Sequence, residues 1–327
     1  MAIRIKDVAR AAGVSEATVS LALNRSSLVN QKTGQRIRAL AKEMGYAPNP
    51  YAKKLALQKS GVVGLVVPDI ENVYYAGLVR HINRFMRAAG YGLSIAISEN
   101  QPRMEADILD EMIRNRVEGV LLAPMNVKSE RKDHFERLER AGIPLLFVTA
   151  RYEGVEANCV MCDLEKGMRE LVKHLMERGC THPVLLTGPE GVQALDERVR
   201  GFLRVAGAEA LVERLDEVSY SAACRSVEQL LWRGVRFDAL LCVNDLMALG
   251  AMNILEAHGC KVPDQVSVCG FDDVVFSRIT EMPITTACQP LEQLAREAVF
   301  QIERAMIGGE MQNILLDTRL VIRKSSR

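Results

Sequence analysis

From Gly61 onward the sequence repeatedly places a continuous apolar run before an amphipathic stretch, and this alternation restricts the fold more than any other feature. The runs read GVVGLVV, GLSIAIS, GVLLAP, PLLFVTA, HPVLLTGP, ALLCVND and VSVCGFDD. Strands that are apolar at every position are typical of parallel sheets that helices cover on both faces. Because about 260 residues of this kind are many for one sheet, we expect two similar doubly wound lobes with a cleft between them.

Several of these predicted strands end directly in polar or turn-forming residues. The strand ends are Pro68-Asp69, Ala123-Pro124, Thr187-Gly188, Asn244-Asp245 and Phe271-Asp272-Asp273. In a doubly wound sheet, ligands bind outside the carboxyl ends of the strands, where the backbone turns toward the next helix. The sequence therefore predicts a small-molecule site at these ends.

The first 60 residues differ from the rest of the chain in charge. They carry eleven Lys or Arg against three Asp or Glu, a net charge of +8, whereas the remainder carries a net charge of −7. A short basic module on a mildly acidic body is typical of nucleic-acid binding. A basic helix lying on a membrane is the rival interpretation, but the positive charges are spread over several short helical segments separated by turns.

The basic module has the pattern of a helix-turn-helix. Residues 5–13 have apolar side chains at helical spacing, and Gly13 ends that helix. Ser15 is the expected N-cap of a second short helix, and a third is predicted over residues 31–44. In this arrangement the second helix can enter the major groove of DNA. An ordinary three-helix bundle remains the alternative that the pattern leaves open.

On the second helix, Val19, Ala22 and Leu23 are expected to pack inward, and Ala17 and Leu21 to stay accessible. Two prolines after the third helix prevent its continuation, and a basic helix of two turns is predicted over residues 51–58. So short a helix is marginal alone and needs a partner to order it.

Composition argues against several other classes of protein. No run of eighteen apolar residues occurs, and the N-terminal stretch MAIRIKDVARAAG lacks the continuous hydrophobic region of a signal peptide, so a cytoplasmic protein is expected. A solute-binding protein with the same core would have a signal peptide and would lack the basic N-terminal module. The sequence meets neither condition. The motifs of phosphate-binding loops, dinucleotide-binding loops and nucleophile elbows do not occur, which argues against an enzyme of the doubly wound class.

Cys159 and Cys162 form the only C-x-x-C pair among the eight cysteines. No second pair and no histidine at ligand spacing accompany them, and the surrounding NCVMCD is typical of a strand. We therefore predict free core thiols in a reducing compartment. No catalytic residue, metal ligand or cofactor is predicted.

Four segments along the chain carry a family resemblance. They are IKDVARAAGVSEATVSLALN, RIRALAKEMGYAPNPYAKKLA, VNDLMALGAMNILEAHGCKVPDQVSVCGFDD and the ITTACQP segment that follows. In these segments the sequence resembles the LacI/GalR family of bacterial regulators, and the resemblance covers nearly the whole chain. It implies a sequence-specific DNA-binding transcriptional regulator, most often a repressor, whose operator affinity is controlled allosterically by a small-molecule effector.

The expected fold class is a small all-α helix-turn-helix head plus an α/β core of two doubly wound parallel-sheet lobes, similar to periplasmic binding proteins. The resemblance implies a DNA-binding domain over residues 1–47, a hinge helix and linker over 48–60, and an effector-binding and dimerisation core over 61–327. The first lobe is expected to comprise residues 61–162 and 290–318, and the second lobe residues 163–289. The expected partners are double-stranded operator DNA, a sugar or related metabolite, and a second copy of the chain, with no membrane. A dimer is preferred over a tetramer because no heptad repeat follows residue 319.

Two groups of DNA-contacting residues follow from the resemblance. The positions on and around the second helix are Ser15, Glu16, Ala17, Thr18, Ser20, Leu21 and Asn24, and those of the hinge are Asn49, Ala52, Lys53 and Leu55. Leu55 matches a leucine that wedges into a base step of the minor groove, although a role in hinge packing alone stays open. Many family members have Arg in place of Leu21, and leucine cannot form the two hydrogen bonds with which Arg reads guanine. Glu16 could accept from cytosine N4 or only repel wrong sequences.

The resemblance also assigns five residues to the effector. They are Tyr74, Tyr75, Arg198, Asn244 and Asp272. Thr149 and Leu164 stand where many members have Asp and Asn, so the effector need not be a familiar sugar. Asp69 could equally cap a helix, and Asp273 could be structural. Whether an aromatic near Tyr220 contacts the ligand stays open, and Trp232 is predicted to pack its helix.

Overall fold

The computed structural model describes residues 3–23, 26, 28–46, 60–127 and 133–327. The chain divides into two compact units, residues Met1–Ser60 and Gly61–Arg327. The predicted hinge helix over 51–58 lies outside the described residues.

The first unit contains three helices, α1 (Ile5–Ala12), α2 (Glu16–Leu23) and α3 (Gln31–Glu43). Val8, Val19 and Ile37, one from each helix, are fully buried at its centre. Two arginines of α3 form hydrogen bonds with the other two helices. Arg36 donates to the Ala12 carbonyl of α1 at 2.9 Å, and Arg38 donates to the Ala22 carbonyl of α2 at 2.7 Å. Both carbonyls lie at helix ends, where they have no partner within their own helix.

The second unit alternates strands and helices throughout. The strands are β1 (Val62–Val67), β2 (Gly92–Ile97), β3 (Val120–Leu122), β4 (Leu145–Thr149), β5 (Asn158–Cys162), β6 (Pro183–Thr187), β7 (Leu211–Arg214), β8 (Ala239–Cys242), β9 (Ser267–Asp272), β10 (Thr285–Cys288), β11 (Ile314–Leu316) and β12 (Arg319–Val321). The helices are α4 (Val73–Ala88), α5 (Pro102–Arg114), α6 (Asp133–Arg140), α7 (Leu164–Glu177), α8 (Gln193–Ala206), α9 (Tyr220–Trp232), α10 (Asp245–Ala257), α11 (Phe276–Ile279) and α12 (Leu291–Met306).

These strands form two six-stranded sheets, and each sheet is the centre of one lobe. The first has the order β11-β5-β4-β3-β1-β2 and is parallel throughout, and the second has the order β12-β10-β9-β8-β6-β7. Only the β10–β12 pair is antiparallel among the described strands. The expectation of two doubly wound parallel-sheet lobes beside a helix-turn-helix head is confirmed.

The chain passes between the two lobes three times. It leaves the first lobe after β5, returns after β10, and leaves again between β11 and β12. The residues after β12 complete the second lobe: the buried Ser325 accepts from the Thr285 backbone N–H at 2.8 Å and donates to the Val268 carbonyl at 2.6 Å. The sequence-based division assigned residues 319–327 to neither lobe.

Two predictions about single side chains have different outcomes. Cys159 and Cys162 are buried, free thiols on β5, and they belong to apolar clusters on opposite faces of the sheet. The prediction that Trp232 packs its helix is wrong, since the side chain is 89% exposed. The buried stripe of α9 contains Ala223, Val227 and Leu230, and a residue two positions after Leu230 points to the other side of a helix. No described helix is long and apolar enough to cross a membrane.

Candidate functional site

The first candidate site is the accessible face of α2 in the basic head. Glu16, Ala17, Ser20 and Leu21 are exposed, whereas Val19 and Ala22 are buried. Exposed residues at spacings of three and four positions lie side by side on a helix, so Ala17, Ser20 and Leu21 form one continuous surface. This is the face that the sequence assigned to DNA.

Ser15 and Thr18 stabilise the start of α2. The Ser15 hydroxyl accepts from the Thr18 backbone N–H at 3.1 Å and lies 2.8 Å from the Thr18 hydroxyl. Ser15 is therefore the N-cap that the sequence predicted. Of the other residues assigned to DNA, Asn24, Asn49, Ala52, Lys53 and Leu55 lie outside the described residues.

The second candidate site is a cavity of about 310 Å³ between the two lobes of the core. All five residues that the sequence assigned to the effector line it: Tyr74, Tyr75, Arg198, Asn244 and Asp272. Thr149 and Leu164 line it as well. Most of the lining follows the carboxyl ends of strands, as expected for doubly wound sheets.

Tyr74 and Tyr75 enter the cavity from the N-terminal turn of α4. Asn72 caps that helix by accepting from the Tyr74 backbone N–H at 3.0 Å. The Tyr74 hydroxyl donates to Gln289 Oε1 at 3.0 Å, and Asn126 Nδ2 lies 3.4 Å from the Tyr75 hydroxyl. Burial raises the pKa of Tyr74 well above its usual value and that of Tyr75 to about 12. Both phenols therefore keep their protons at neutral pH and can donate hydrogen bonds.

Arg198 enters from α8 in the second lobe and is almost entirely buried. Its guanidinium lies 4.3 Å from the centre of the Phe271 ring, donates to the Ala194 carbonyl at 3.0 Å and contacts Asp272 Oδ1 at 3.4 Å. Its Nε is buried without an acceptor among the described residues. Buried donors are normally satisfied, so an acceptor on a bound molecule would complete this side chain.

Asp272 is the last residue of β9, and its backbone φ of 106° lies in the left-handed region. Its Oδ1 accepts from Gln289 Nε2 at 2.7 Å as well as from Arg198. Burial raises the pKa of the Asp272 carboxyl to about 6, although the arginine and the glutamine both stabilise the charged form. A continuous hydrogen-bonded chain thus runs from Arg198 through Asp272 and Gln289 to Tyr74, and it joins the two lobes.

Asn244 has a divided role. Its Oδ1 accepts from the Met247 backbone N–H at 2.8 Å and caps α10, which leaves the Nδ2 group as the part that can contact a ligand. Asp69 and Asp273 serve the local structure, as the sequence left open. Asp69 accepts from the Glu71 N–H at 2.7 Å, and Asp273 pairs with Arg278 at 2.9 Å.

Sequence reasoning missed several polar or aromatic residues of the cavity, among them Gln289, Gln193 and Tyr152. Gln289 follows β10, which has no continuous apolar run to mark it. Gln193 Oε1 accepts from the Arg151 backbone N–H at 3.0 Å and connects the lobes directly. Tyr220 does not line the cavity; its hydroxyl accepts instead from Asn253 Nδ2 at 2.7 Å. No group of three or more His, Cys, Asp or Glu side chains suited to a metal ion occurs in the part of the chain that the structure describes.

The adjacent carboxylates Asp272 and Asp273 should affect stability with opposite dependence on pH. A carboxyl with a raised pKa binds its proton more tightly in the folded protein than in the unfolded chain. Ionisation of Asp272 therefore lowers the free energy of unfolding as pH rises from about 4 through about 6. Asp272→Asn keeps an oxygen acceptor for its partners. We expect it to match the parent at pH 4 and to exceed it by up to about 3 kcal/mol at pH 8, at 1.36 kcal/mol per pKa unit.

Asp273→Asn is the matched control. Pairing with Arg323 and Arg278 lowers the pKa of Asp273, so its contribution is present at neutral pH and is lost as pH falls. Asp273→Asn should therefore destabilise the protein at pH 8 and less at pH 4, in denaturant unfolding of both variants. An Asp272→Asn effect that is independent of pH would contradict the prediction.

Known proteins match both units of the chain. Residues 4–49 match the model of the LacI family of bacterial regulatory proteins, and residues 172–326 match the model of the periplasmic binding protein-like domain. The transcriptional regulator DegA of Bacillus subtilis is 29% identical over all of this chain and 98% of its own length. The transcriptional repressor CytR of Escherichia coli is 28% identical over all of this chain and 97% of its own length.

Two solved structures are similar over nearly the full length. The lac repressor dimer bound to operator and the anti-inducer ONPF has a TM-score of 0.88 at 26% identity, with 99% of each chain covered. The complex of the transcriptional regulator CelR with cellobiose has a TM-score of 0.73 at 28% identity, with 99% of each chain covered. With a LacI-type head, a periplasmic-binding-protein-like core and relatives of this kind along its whole length, the chain belongs to the LacI/GalR family of bacterial transcriptional regulators.

Proposed function

We propose that this regulator binds operator DNA as a homodimer and that a neutral, hydroxyl-rich small molecule, a sugar or related metabolite, controls its affinity from the cleft of the core. The observation that carries the proposal is the convergence of all five sequence-assigned effector residues on one cavity. These residues come from both lobes, so a ligand that contacts them stabilises one arrangement of the lobes over others.

The charge balance of the cavity favours a neutral ligand. Arg198 is paired with Asp272, and both are buried, so the two charges offset each other. A phosphate would need a cation without a partner in this position, as would a carboxylate. Hydroxyl groups, by contrast, both donate and accept, which suits the phenol, amide and carboxylate groups around the cavity. Among relatives, CelR was solved with cellobiose.

The size of the cavity sets a further limit on the ligand. A volume of about 310 Å³ lies near the lower end of the range for small-molecule sites, about 300–1,000 Å³. The proposed ligand is therefore of monosaccharide or nucleoside size. We assign the cleft to binding and not to catalysis, and action on operator DNA implies a cytoplasmic protein.

The DNA contacts are assigned to the exposed face of α2 and to the hinge residues Asn49, Ala52, Lys53 and Leu55. The proposed division is a DNA-binding domain over 1–47, a hinge over 48–60 and a core from residue 61. The support for α2 is its row of small exposed side chains, Ala17 and Ser20, beside Leu21, which is 36% exposed. Small side chains allow a helix to approach base edges closely in the major groove.

The second copy of the chain is assigned to a face of the core on which exposed apolar side chains stand among charged ones. Val73 of the first lobe and Val275 of the second line one groove of about 1060 Å³, and Ile279 lies one helical turn after Val275. Val275 is 58% exposed and Ile279 is 75% exposed. Exposed apolar side chains that are grouped in this way are typical of protein interfaces, and the lac repressor relative was solved as a dimer.

The dimer face can be tested by placing charges on it. The double variant Val275→Asp and Ile279→Asp should be monomeric in sedimentation equilibrium, because an interface cannot bury unpaired carboxylates. Trp232→Asp is the matched control, since it removes an exposed apolar side chain elsewhere and should leave the dimer intact. A double variant that remains dimeric would show that the interface lies on another face.

Base reading by α2 can be tested at Leu21. Leu21→Arg should create a two-bond contact to guanine and change the preferred base at one symmetric pair of operator positions by roughly 1–3 kcal/mol. The measurement is selection of binding sites from random duplex DNA with the parent and the variant. Gln35→Arg on α3 adds the same charge away from this face and should leave the consensus unchanged. An unchanged consensus for Leu21→Arg would mean that residue 21 does not face the bases.

Control by the cleft can be tested at Arg198. Arg198→Ala should lose binding of the ligand that protects the parent in a thermal-shift screen of sugars and nucleosides, because it removes a buried donor group. In the parent, operator affinity with and without that ligand should differ by about 1–3 kcal/mol, and in the variant the difference should vanish. Arg198→Lys, which keeps the charge but not the planar fork, should behave like Arg198→Ala. A full response to the ligand in either variant would contradict the assignment of the site.

A further inference from the structure

The chain enters the core at Gly61, and hydrogen bonds hold this residue from two sides. Gly61 directly precedes β1, and its backbone φ of 64° lies in the left-handed region that glycine adopts without strain. Its N–H donates to Glu118 Oε1 at 2.5 Å, and its carbonyl accepts from the Gly92 N–H at 2.8 Å. One of these partners is a side chain, so a substitution at Glu118 removes it without changing the backbone.

The Gly61 N–H belongs to the peptide bond between Ser60 and Gly61, which joins the two units of the chain. A peptide group is planar, so the direction of its N–H also fixes the direction of the bond to the preceding Cα atom. The hydrogen bond from Gly61 to Glu118 therefore sets the direction in which the chain leaves the core toward the head.

Glu118 is itself held within the first sheet. It lies two positions before β3 and is partly buried, and its backbone N–H donates to the Val62 carbonyl at 2.9 Å. The strands β2, β1 and β3 are neighbours in that sheet, and Gly92, Gly61 and Glu118 lie at their amino ends. The carboxylate that fixes the junction is thus attached to the most rigid part of the lobe, at the edge of the sheet opposite the cleft.

We propose that Glu118 is a positioning residue for operator binding, because its carboxylate fixes the peptide bond through which the head is attached to the core. An operator with two half-sites requires each head at a defined place. A junction that is already ordered loses less conformational entropy on binding than one that must be ordered by the DNA. The inference rests on the proposed function, since it assumes operator binding by a homodimer, and it adds a residue that belongs to neither of the two assigned sites.

The charge of Glu118 offers a second way in which this residue can act. Burial and the nearby carboxylates of Glu118 and Glu303 raise the pKa of Tyr91, so two acidic groups lie close to the junction. Residues 48–60 contain three lysines and no Asp or Glu. A carboxylate here can therefore attract the lysines or repel DNA phosphates. The hydrogen bond needs only an oxygen acceptor, so glutamine at position 118 separates positioning from charge.

The test measures operator affinity of the full-length protein by fluorescence anisotropy, on the duplex that the parent selects from random DNA. Glu118→Ala should weaken operator binding on the order of 10-fold, the scale of fixing the backbone of one residue. Glu118→Gln should keep Kd within about threefold, because its amide oxygen still accepts from Gly61. Glu303→Ala is the matched control, since it removes the neighbouring carboxylate without removing the hydrogen bond, and it should bind like the parent.

A duplex of the same length and unrelated sequence distinguishes positioning from a general loss of structure. Non-specific binding depends on phosphate contacts and not on the placement of two heads, so all variants should bind this duplex alike. Unchanged operator binding in Glu118→Ala, or equal weakening on both duplexes, would overturn the inference. Weakening of Glu118→Gln or Glu303→Ala to the level of Glu118→Ala would assign the effect to charge and overturn it as well. Failure of the parent to select any operator would count instead against the proposed function.

Discussion

A parallel sheet that is covered by helices on both faces leaves polar chemistry only one location, the ends of its strands. In this core the central strands are almost entirely buried, with fully buried apolar side chains such as Leu65 in the first sheet and Leu241 in the second. The side chains that can recognise a ligand are therefore concentrated where β4, β8 and β9 end. Because two such sheets face each other across the same cleft, a single small molecule can contact both lobes at once.

The two adjacent aspartates at the end of β9 provide both ligand recognition and a rigid turn. Asp272 faces the cleft, and burial makes its charge costly, so the site contains a carboxylate that gains from additional donors. Asp273 faces the body of the second lobe and is held by arginines from α11 and from the segment after β12. Both residues have a positive backbone φ, 106° for Asp272 and 58° for Asp273. This conformation is sterically unfavourable for residues other than glycine. The ion pairs of Asp273 therefore stabilise the backbone conformation on which Asp272 depends.

The sequence predicted those parts of the molecule that depend on local patterns. It located α1 and α3 to within a residue of their observed ends, and it found the central strands as uninterrupted apolar runs. The edge strand β7 reads LVER and is only partly buried, so no such run marks it. Asn244 and Asp272 could be predicted because each lies at the carboxyl end of a recognisable strand. Tyr152 could not, since its place in the cavity is decided by contacts with Glu105 and Met125, which are distant in sequence.

The threefold passage of the chain between the lobes also affects the order in which the protein can assemble during synthesis. Neither sheet is formed by one continuous segment of the chain. The first sheet is complete only when β11 has been synthesised, and the second only when β12 and the buried Ser325 have been synthesised. Until these segments leave the ribosome, β5 and β10 each have an unpaired edge, a state that favours pairing with other chains. The helices of the head, whose contacts are local, face no such delay. During translation the helix-turn-helix unit can therefore fold while each lobe of the core still exposes an unpaired strand edge.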